Sequence, residues 1–348
     1  MSGALDRALL RRIPKAELHC HLDGSVRPET LLALAHEYGQ PMPRHDAESL
    51  RDYMVVSDGH SLDDYLQRFA VTLSVMQTAE ALERIAYELA IDAAADGVRY
   101  LEVRYAPILN ARHGLSLGDA VQAPLRGLER AEREVGIVAR VIVCGIRSMA
   151  PAVSLELAEL AVAFRGRGVV GFDLAGGEAG NPAAAHQQAF AHARRHDLAC
   201  TCHAGEGDGP ESVRQALHAC CVDRIGHGTR IVEDPALLEY VIDRRVPIEV
   251  CLTSNIQTRA AASYDAHPLR LYYDRGMHVV LNTDNRLMSG TTLTDEYEHA
   301  SRHLGFSFDE LARMALNGFD SAFLPYEQRR AMIADAERDL SLLRAEVA

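Results

Sequence analysis

Two histidines one residue apart, His19 and His21 in ELHCHLDG, are the first side chains whose type and spacing suggest chemistry. On an extended strand, residues i and i+2 share a face, so both imidazoles project to one side and Cys20 to the other. Such a pair is a chelate, although alone it is as common in structural or surface roles as in metal sites. Three more polar clusters close short apolar runs: His203-Ala-Gly-Glu206, Gly226-His227-Gly228 and Leu281-Asn-Thr-Asp284-Asn285. Three imidazoles and a carboxylate, from His19, His21, His203 and Asp284, form a donor set suited to zinc. A catalytic zinc keeps one position open for water and lowers that water's pKa from about 15.7 toward 7. Glu206, three residues beyond a ligand, is placed to shuttle protons, and His227 to orient or stabilise the hydroxide.

Residues this far apart meet only in a fold that gathers strand ends. Apolar runs separated by stretches of helical period recur at Ala16–His21, Arg99–Ala106, Val138–Gly145, Val169–Leu174, Ala199–His203, Arg224–His227, Pro247–Leu252 and His278–Thr283. Eight such units predict an α/β fold of the (β/α)8 TIM-barrel type, as in metal-dependent hydrolases, with a doubly wound open sheet as the alternative. Strand ends of a barrel converge on one face, so the candidate residues meet there. The chain, 1–348, reads as a single barrel domain. Within it, 28–95 contribute extra lid helices after the first strand and 308–348 form C-terminal helices, broken at Gly318 and Pro325. Leu62, Tyr65, Leu66 and Phe69 have helical spacing, which suits a pocket wall or a helix face packed on the barrel.

Composition narrows the partners. The 348 residues are 48% hydrophobic and 24% charged, enough for a sizeable core. A net charge of −13 argues against nucleic acid and anionic membranes, leaving a small molecule. No apolar run approaches about 18 residues and no signal-peptide pattern opens the chain, so a cytoplasmic location is expected; oligomeric state stays open. Seven cysteines without C-x2-C spacing read as buried thiols. Lys15 is the only lysine, which excludes a Schiff base or a carboxylated lysine bridging two metals on any later strand.

The strings ELHCHLDG, DLAGGE, HAGEG, RIGHG, SNIQT and LNTDN, in that order over nearly the whole chain, resemble the adenosine deaminase family of zinc-dependent purine aminohydrolases, adenosine/AMP deaminase type. The resemblance implies one zinc on His19, His21, His203 and Asp284, with Glu206 protonating purine N1 and His227 positioning the hydroxide. It also implies a hydrogen bond from the Gly176 backbone to purine N3 and one from a ribose hydroxyl to Asp23, with His21 bordering the substrate. Adenosine or 2′-deoxyadenosine would yield inosine or 2′-deoxyinosine and ammonia. One departure stands out: the family's usual second aspartate, which contacts N7, is Asn285 here. Neutral N7 only accepts, and asparagine offers an N–H directly where an aspartate must first be protonated. The alternative is a 6-aminodeoxyfutalosine deaminase of menaquinone biosynthesis. HLDG with DLAG favours a nucleoside over free adenine, and the intact residue set argues against a catalytically inactive binding protein.

Other readings fall away. No P-C-x-x-C accompanies an H-x-E, so the cytidine and tRNA deaminase design is absent. His192 and His196 sit at i, i+4 without a metalloprotease glutamate and read as a solvated face. Glu102, Arg104 and Arg147 alternate inward and are expected to form salt bridges inside the barrel mouth.

Overall fold

The computed structural model describes residues 5–56 and 68–347. Leu62, Tyr65 and Leu66 therefore lie outside the described residues. Eight strands, all parallel to their neighbours, run in sequence order: β1 Lys15–His21, β2 Val98–Tyr105, β3 Val138–Ile146, β4 Val169–Ala175, β5 Ala199–Ala204, β6 Arg224–His227, β7 Ile248–Val250 and β8 Val279–Leu281. Helices cover the outside, as the period of the intervening segments predicts. Proline occupies the first turn of the helices Pro28–Tyr38, Pro151–Ala163, Pro210–His218 and Pro235–Asp243, where its missing N–H costs nothing. Thr78 and Ser116 cap Ala79–Ala95 and Leu117–Val135 through their hydroxyls.

The last two strands are shorter than their apolar runs. Leu252 opens a helix, Leu252–Gln257, and Asn282 ends β8 for a different reason. Its side-chain Oδ1 accepts N–H from Leu18 and His19 at 2.7 and 3.1 Å, standing in for a backbone carbonyl at the seam between β8 and β1. The seam continues through Asp284, whose N–H donates to His19 O at 2.9 Å and whose carbonyl accepts from His21 N at 2.7 Å. Closing the barrel thus places Asp284 beside both histidines of β1.

β1 also carries a bulge. Glu17 lies opposite Leu101 and Cys20 opposite Val103, so β1 has one residue more than β2 between them. Ala16 and Leu18 pack with Tyr100, Val280 and Phe319 in a lower core layer, and the extra residue then lets His19 and His21 face inward above them.

The C-terminal pattern needs one correction. The helix Phe308–Ser321 runs through Gly318, and the break comes only before Tyr326–Val347. Gly318 is a contact position: a Cβ there would lie 3.1 Å from Ala16 Cβ and 3.3 Å from Val280 Cγ1, where the helix meets β1 and β8. Six cysteines are buried as expected; Cys221 is exposed, in a turn at φ 53° before β6. His192 and His196 lie on a surface face with ring centroids 4.4 Å apart.

Candidate active site

All nine residues singled out for the site come together at the C-terminal rim. Asp284 Oδ1 is 3.3 Å from both His19 Nε2 and His21 Nε2, and His21 Nε2 is 3.0 Å from His203 Nε2. The four side chains are buried, and their donor atoms lie within 4.8 Å of one another. His227 and Asp284 hold positive φ, 65° and 61°, an uncommon conformation outside glycine that turns each side chain inward at its strand end.

The neighbours of these imidazoles decide which nitrogen faces the centre. His19 Nδ1 is 2.9 Å from Glu249 Oε2, and His203 Nδ1 is 3.1 Å from Asp173 Oδ2. Carboxylates accept, so each Nδ1 carries the proton and each Nε2 turns a lone pair inward. Burial pushes His21 and His203 below the usual imidazole range, keeping them neutral. His19 Nε2 is buried without a hydrogen-bond partner. Three imidazole nitrogens and one carboxylate oxygen converging on one point, one of those nitrogens without a partner, fit a tetrahedral zinc. Ser254 Oγ donates to the outer Asp284 oxygen at 2.6 Å, leaving Oδ1 free to face that centre.

Two carboxylates here are driven apart in proton affinity. Burial, reinforced by the charge of Asp284, pushes Glu206 well above the usual carboxyl range. Burial would raise Asp284 too, but the imidazoles packed around it, His19 first, prevail and hold it well below. The two shifts run in opposite directions, the separation that divides an acid from a ligand. Thr258 Oγ1 fixes Glu206 Oε1 at 2.9 Å, and Glu206 Oε2 lies 3.5 Å from His227 Nε2.

The tautomer of His227 follows from its other side. Asn255 Oδ1 accepts from Thr229 Oγ1 at 2.9 Å and lies 3.2 Å from His267 Nε2, so the amide nitrogen faces His227 Nδ1 at 3.0 Å. Nδ1 accepts, and the proton sits on Nε2, aimed into the cavity. Burial, with His19 nearby, lowers this imidazole well below its usual range, so it is a neutral donor.

A cavity of about 340 Å³ adjoins the cluster, at the lower end of the roughly 300–1,000 Å³ of small-molecule sites. Asp23, Gly176 and Asn285 line it with His21, and Phe69 and Leu73 give it an apolar side. Phe69 is thus a pocket-wall residue. Burial pushes the Asp23 carboxyl up to about 7, and its Oδ1 has no hydrogen-bond partner.

Beneath the site lies a buried ionic layer that differs in part from the expectation for the mouth. Arg104 pairs with Asp173 at 3.2 Å and Glu249 at 2.8 Å, while Arg224, the first residue of β6, bridges Glu249 and Glu102. Glu102 and Arg104 form salt bridges as expected: Arg104, opposite His21, on the carboxylates that hold His19 and His203, and Glu102 on Arg224, which enters from the N-terminal end of β6. Arg147 instead donates to the carbonyls of Asn181 and His203. Sequence reasoning passed over Glu249, although a charge inside the apolar run Pro247–Leu252 marks it. It also left Asp173, Ser254, Asn255 and Thr258 without roles, although DLAGGE and SNIQT contain or border them.

Barrel and donor set together define a hydrolytic enzyme of the (β/α)8 class. The family model described as adenosine deaminase matches residues 14–338, and the chain belongs to that family. It is 43% identical over 353 residues to an adenosine deaminase of Mycobacteroides abscessus, covering 96% of this chain and 97% of that one. An amidohydrolase structure from Burkhoderia ambifaria with bound zinc superposes with a TM-score of 0.89 at 29% identity, covering 99% of this chain and 96% of that one. An adenine deaminase structure from Arthrobacter aurescens gives 0.88 at 28% identity, covering 93% and 98%. Among the described residues, no helix is long and apolar enough to cross a membrane.

Proposed function

We propose that this chain hydrolyses the 6-amino group of adenosine and 2′-deoxyadenosine, releasing inosine or 2′-deoxyinosine and ammonia, with zinc on His19, His21, His203 and Asp284. The observation that carries this reading is the convergence of His19, His21, His203 and Asp284 on one centre, with the buried Glu206 carboxyl beside it, 3.5 Å from His227 Nε2. A zinc ion in that donor set would lower the pKa of a bound water toward neutrality.

The residues then divide the work. Glu206 donates its proton to purine N1, which draws electrons from C6 and opens that carbon to attack. Its carboxylate next takes a proton from the attacking water and passes it to the departing amine, and as the C6–N bond breaks the proton left on the C6 oxygen returns to Glu206, so one group serves throughout. His227, neutral and protonated at Nε2, donates to the attacking oxygen and sets its line of approach. The Gly176 backbone meets N3, and Asn285, whose Oδ1 is turned against Gly24, gives its N–H to N7. Asp23 accepts from a ribose hydroxyl, which answers its unpartnered Oδ1. Purine turnover in the cytoplasm is the setting that this reaction implies. A nucleoside is favoured over free adenine by the 43% identity to an adenosine deaminase, against 28% to the adenine deaminase structure.

The test separates metal from proton transfer. Glu206→Gln keeps full zinc and loses turnover, whereas His19→Ala loses both; near wild-type rates in Glu206→Gln would overturn the assignment.

A further inference from the structure

Glu178 closes the DLAGGE string after β4, and the reaction as proposed gives it no role. It is 3% exposed, with no ion-pair partner among the described residues. Its carboxylate reaches across to the loop after β5 and accepts four successive backbone N–H groups. Oε1 takes Gly205 at 2.6 Å, and Oε2 takes Glu206 at 3.0 Å, Gly207 at 2.7 Å and Asp208 at 3.1 Å. The loop is shaped for this: Gly205 has φ +75°, and a Cβ there would lie 2.8 Å from Val213 Cγ2. Successive amides around a left-handed residue turn their N–H groups to one point, and an anion satisfies them together. Without it, the buried N–H groups of Gly205 and Glu206 would lose their partner.

Glu206 is consequently pinned at both ends, its backbone by Glu178 and its carboxyl by Thr258. Glu178 also lies two residues beyond Gly176, at φ +97° on the cavity wall. Arg147 makes a second tie, from the loop after β4 to the end of β5, donating to Asn181 O and His203 O. The purine ring holds N1 and N3 at a fixed separation, so the loop contacting N3 and the loop protonating N1 must keep one register.

We propose that Glu178 is a positioning residue, which sets Glu206 against purine N1 by bridging the loops after β4 and β5. This rests on the deaminase reading above. Glu178 acts through the backbone of Glu206 and touches neither substrate nor the metal ligands. Glutamine at 178 keeps the length but replaces one acceptor oxygen with an NH2 that faces N–H donors, so the loop relaxes. A misplacement on the order of 1 Å at the reacting centre costs about 10²-fold in rate.

The experiment measures zinc content, kcat and KM for adenosine in wild type, Glu178→Gln, Glu206→Gln and the double variant, with native-state amide exchange at 205–208. Wild-type turnover is measured first, because its absence strikes the substrate assignment and leaves the bridge to the exchange data. The expected result for Glu178→Gln is full zinc, a kcat loss of about 10²-fold, and KM within about threefold of wild type. In the Glu206→Gln background, adding Glu178→Gln changes the residual rate by less than about threefold, since the residue it positions is already disabled. In wild type, the amides of Gly205 and Glu206 are protected from exchange, and they lose protection in Glu178→Gln. Should the variant fail to fold, rapid exchange at these amides in the wild-type enzyme would overturn the bridge alone. So would unchanged kcat in a folded Glu178→Gln, or an equal loss of rate in both backgrounds.

Discussion

His19 Nδ1 and Glu249 Oε2 are 2.9 Å apart, and that one carboxylate also receives hydrogen bonds from Arg104, Arg224 and Thr201. Burial would raise Glu249, but the charges of Arg104 and Arg224 prevail and keep it ionised. The ionic layer thus holds His19 in the tautomer that turns Nε2 inward. Glu249→Gln should lower zinc affinity about 10–100-fold. Competition with a chromogenic chelator reads this directly, and unchanged affinity would show that the layer does not prepare the site.

Gly24 and Asn285 form a second coupled pair. A Cβ on Gly24 would lie 1.7 Å from Asn285 Oδ1, and the Gly24 carbonyl is held by Leu287 N at 2.9 Å, so the amide must swing away. Gly24→Ala should retain zinc and lower kcat/KM for adenosine by roughly 10-fold or more, the scale of one lost hydrogen bond to the base. In an Asn285→Gly background the same change should cost little, because all three side-chain atoms that the new Cβ would strike, Asn285 Cβ at 2.8 Å included, are gone; an equal loss there would place the effect elsewhere.

Asp23 has a buried oxygen without a partner and a carboxyl raised to about 7 by burial. If a ribose hydroxyl supplies the missing donor, Asp23→Ala raises KM for adenosine more than for adenine. Steady-state kinetics on both substrates checks this, and equal increases would mean that the sugar is not read there.

The sole lysine offers a probe of the fold. Lys15 Nζ donates to the carbonyls of Arg11, Ile13 and Asp96 at 3.0–3.1 Å, and burial pushes it down to about 7. The three carbonyls match the three N–H groups of the ammonium, and complete burial withholds the group from reagents in solution. Mass spectrometry after acylation should find one modification fewer on the native protein than on the unfolded chain. Rapid modification of native Lys15 would contradict its burial at the barrel entry.

The sequence made the barrel and its site legible because strand period and strand-end chemistry coincide. His21, His203 and His227 each close an apolar run and Asp284 directly follows one, so locating the strands brought the candidate residues to one rim. What was hidden depends on tertiary contact. Asn282 ends β8 early because its side chain pairs with β1, which no local pattern announces. Gly318 looked like a helix breaker, whereas it admits close approach to Ala16. Glu249 and Arg224 belong to separate strands, and only closure of the barrel makes them one layer under His19.

The most direct measurement of the central claim is the loss of 6-aminopurine absorbance on adding zinc-loaded protein to adenosine, 2′-deoxyadenosine, adenine and 6-aminodeoxyfutalosine in parallel. A kcat/KM above about 10⁴ M⁻¹s⁻¹ on adenosine, with adenine far slower, is the predicted result. Slow adenosine with fast 6-aminodeoxyfutalosine would contradict it, keeping the catalytic residues but moving the specificity to the 5′ side of the cavity.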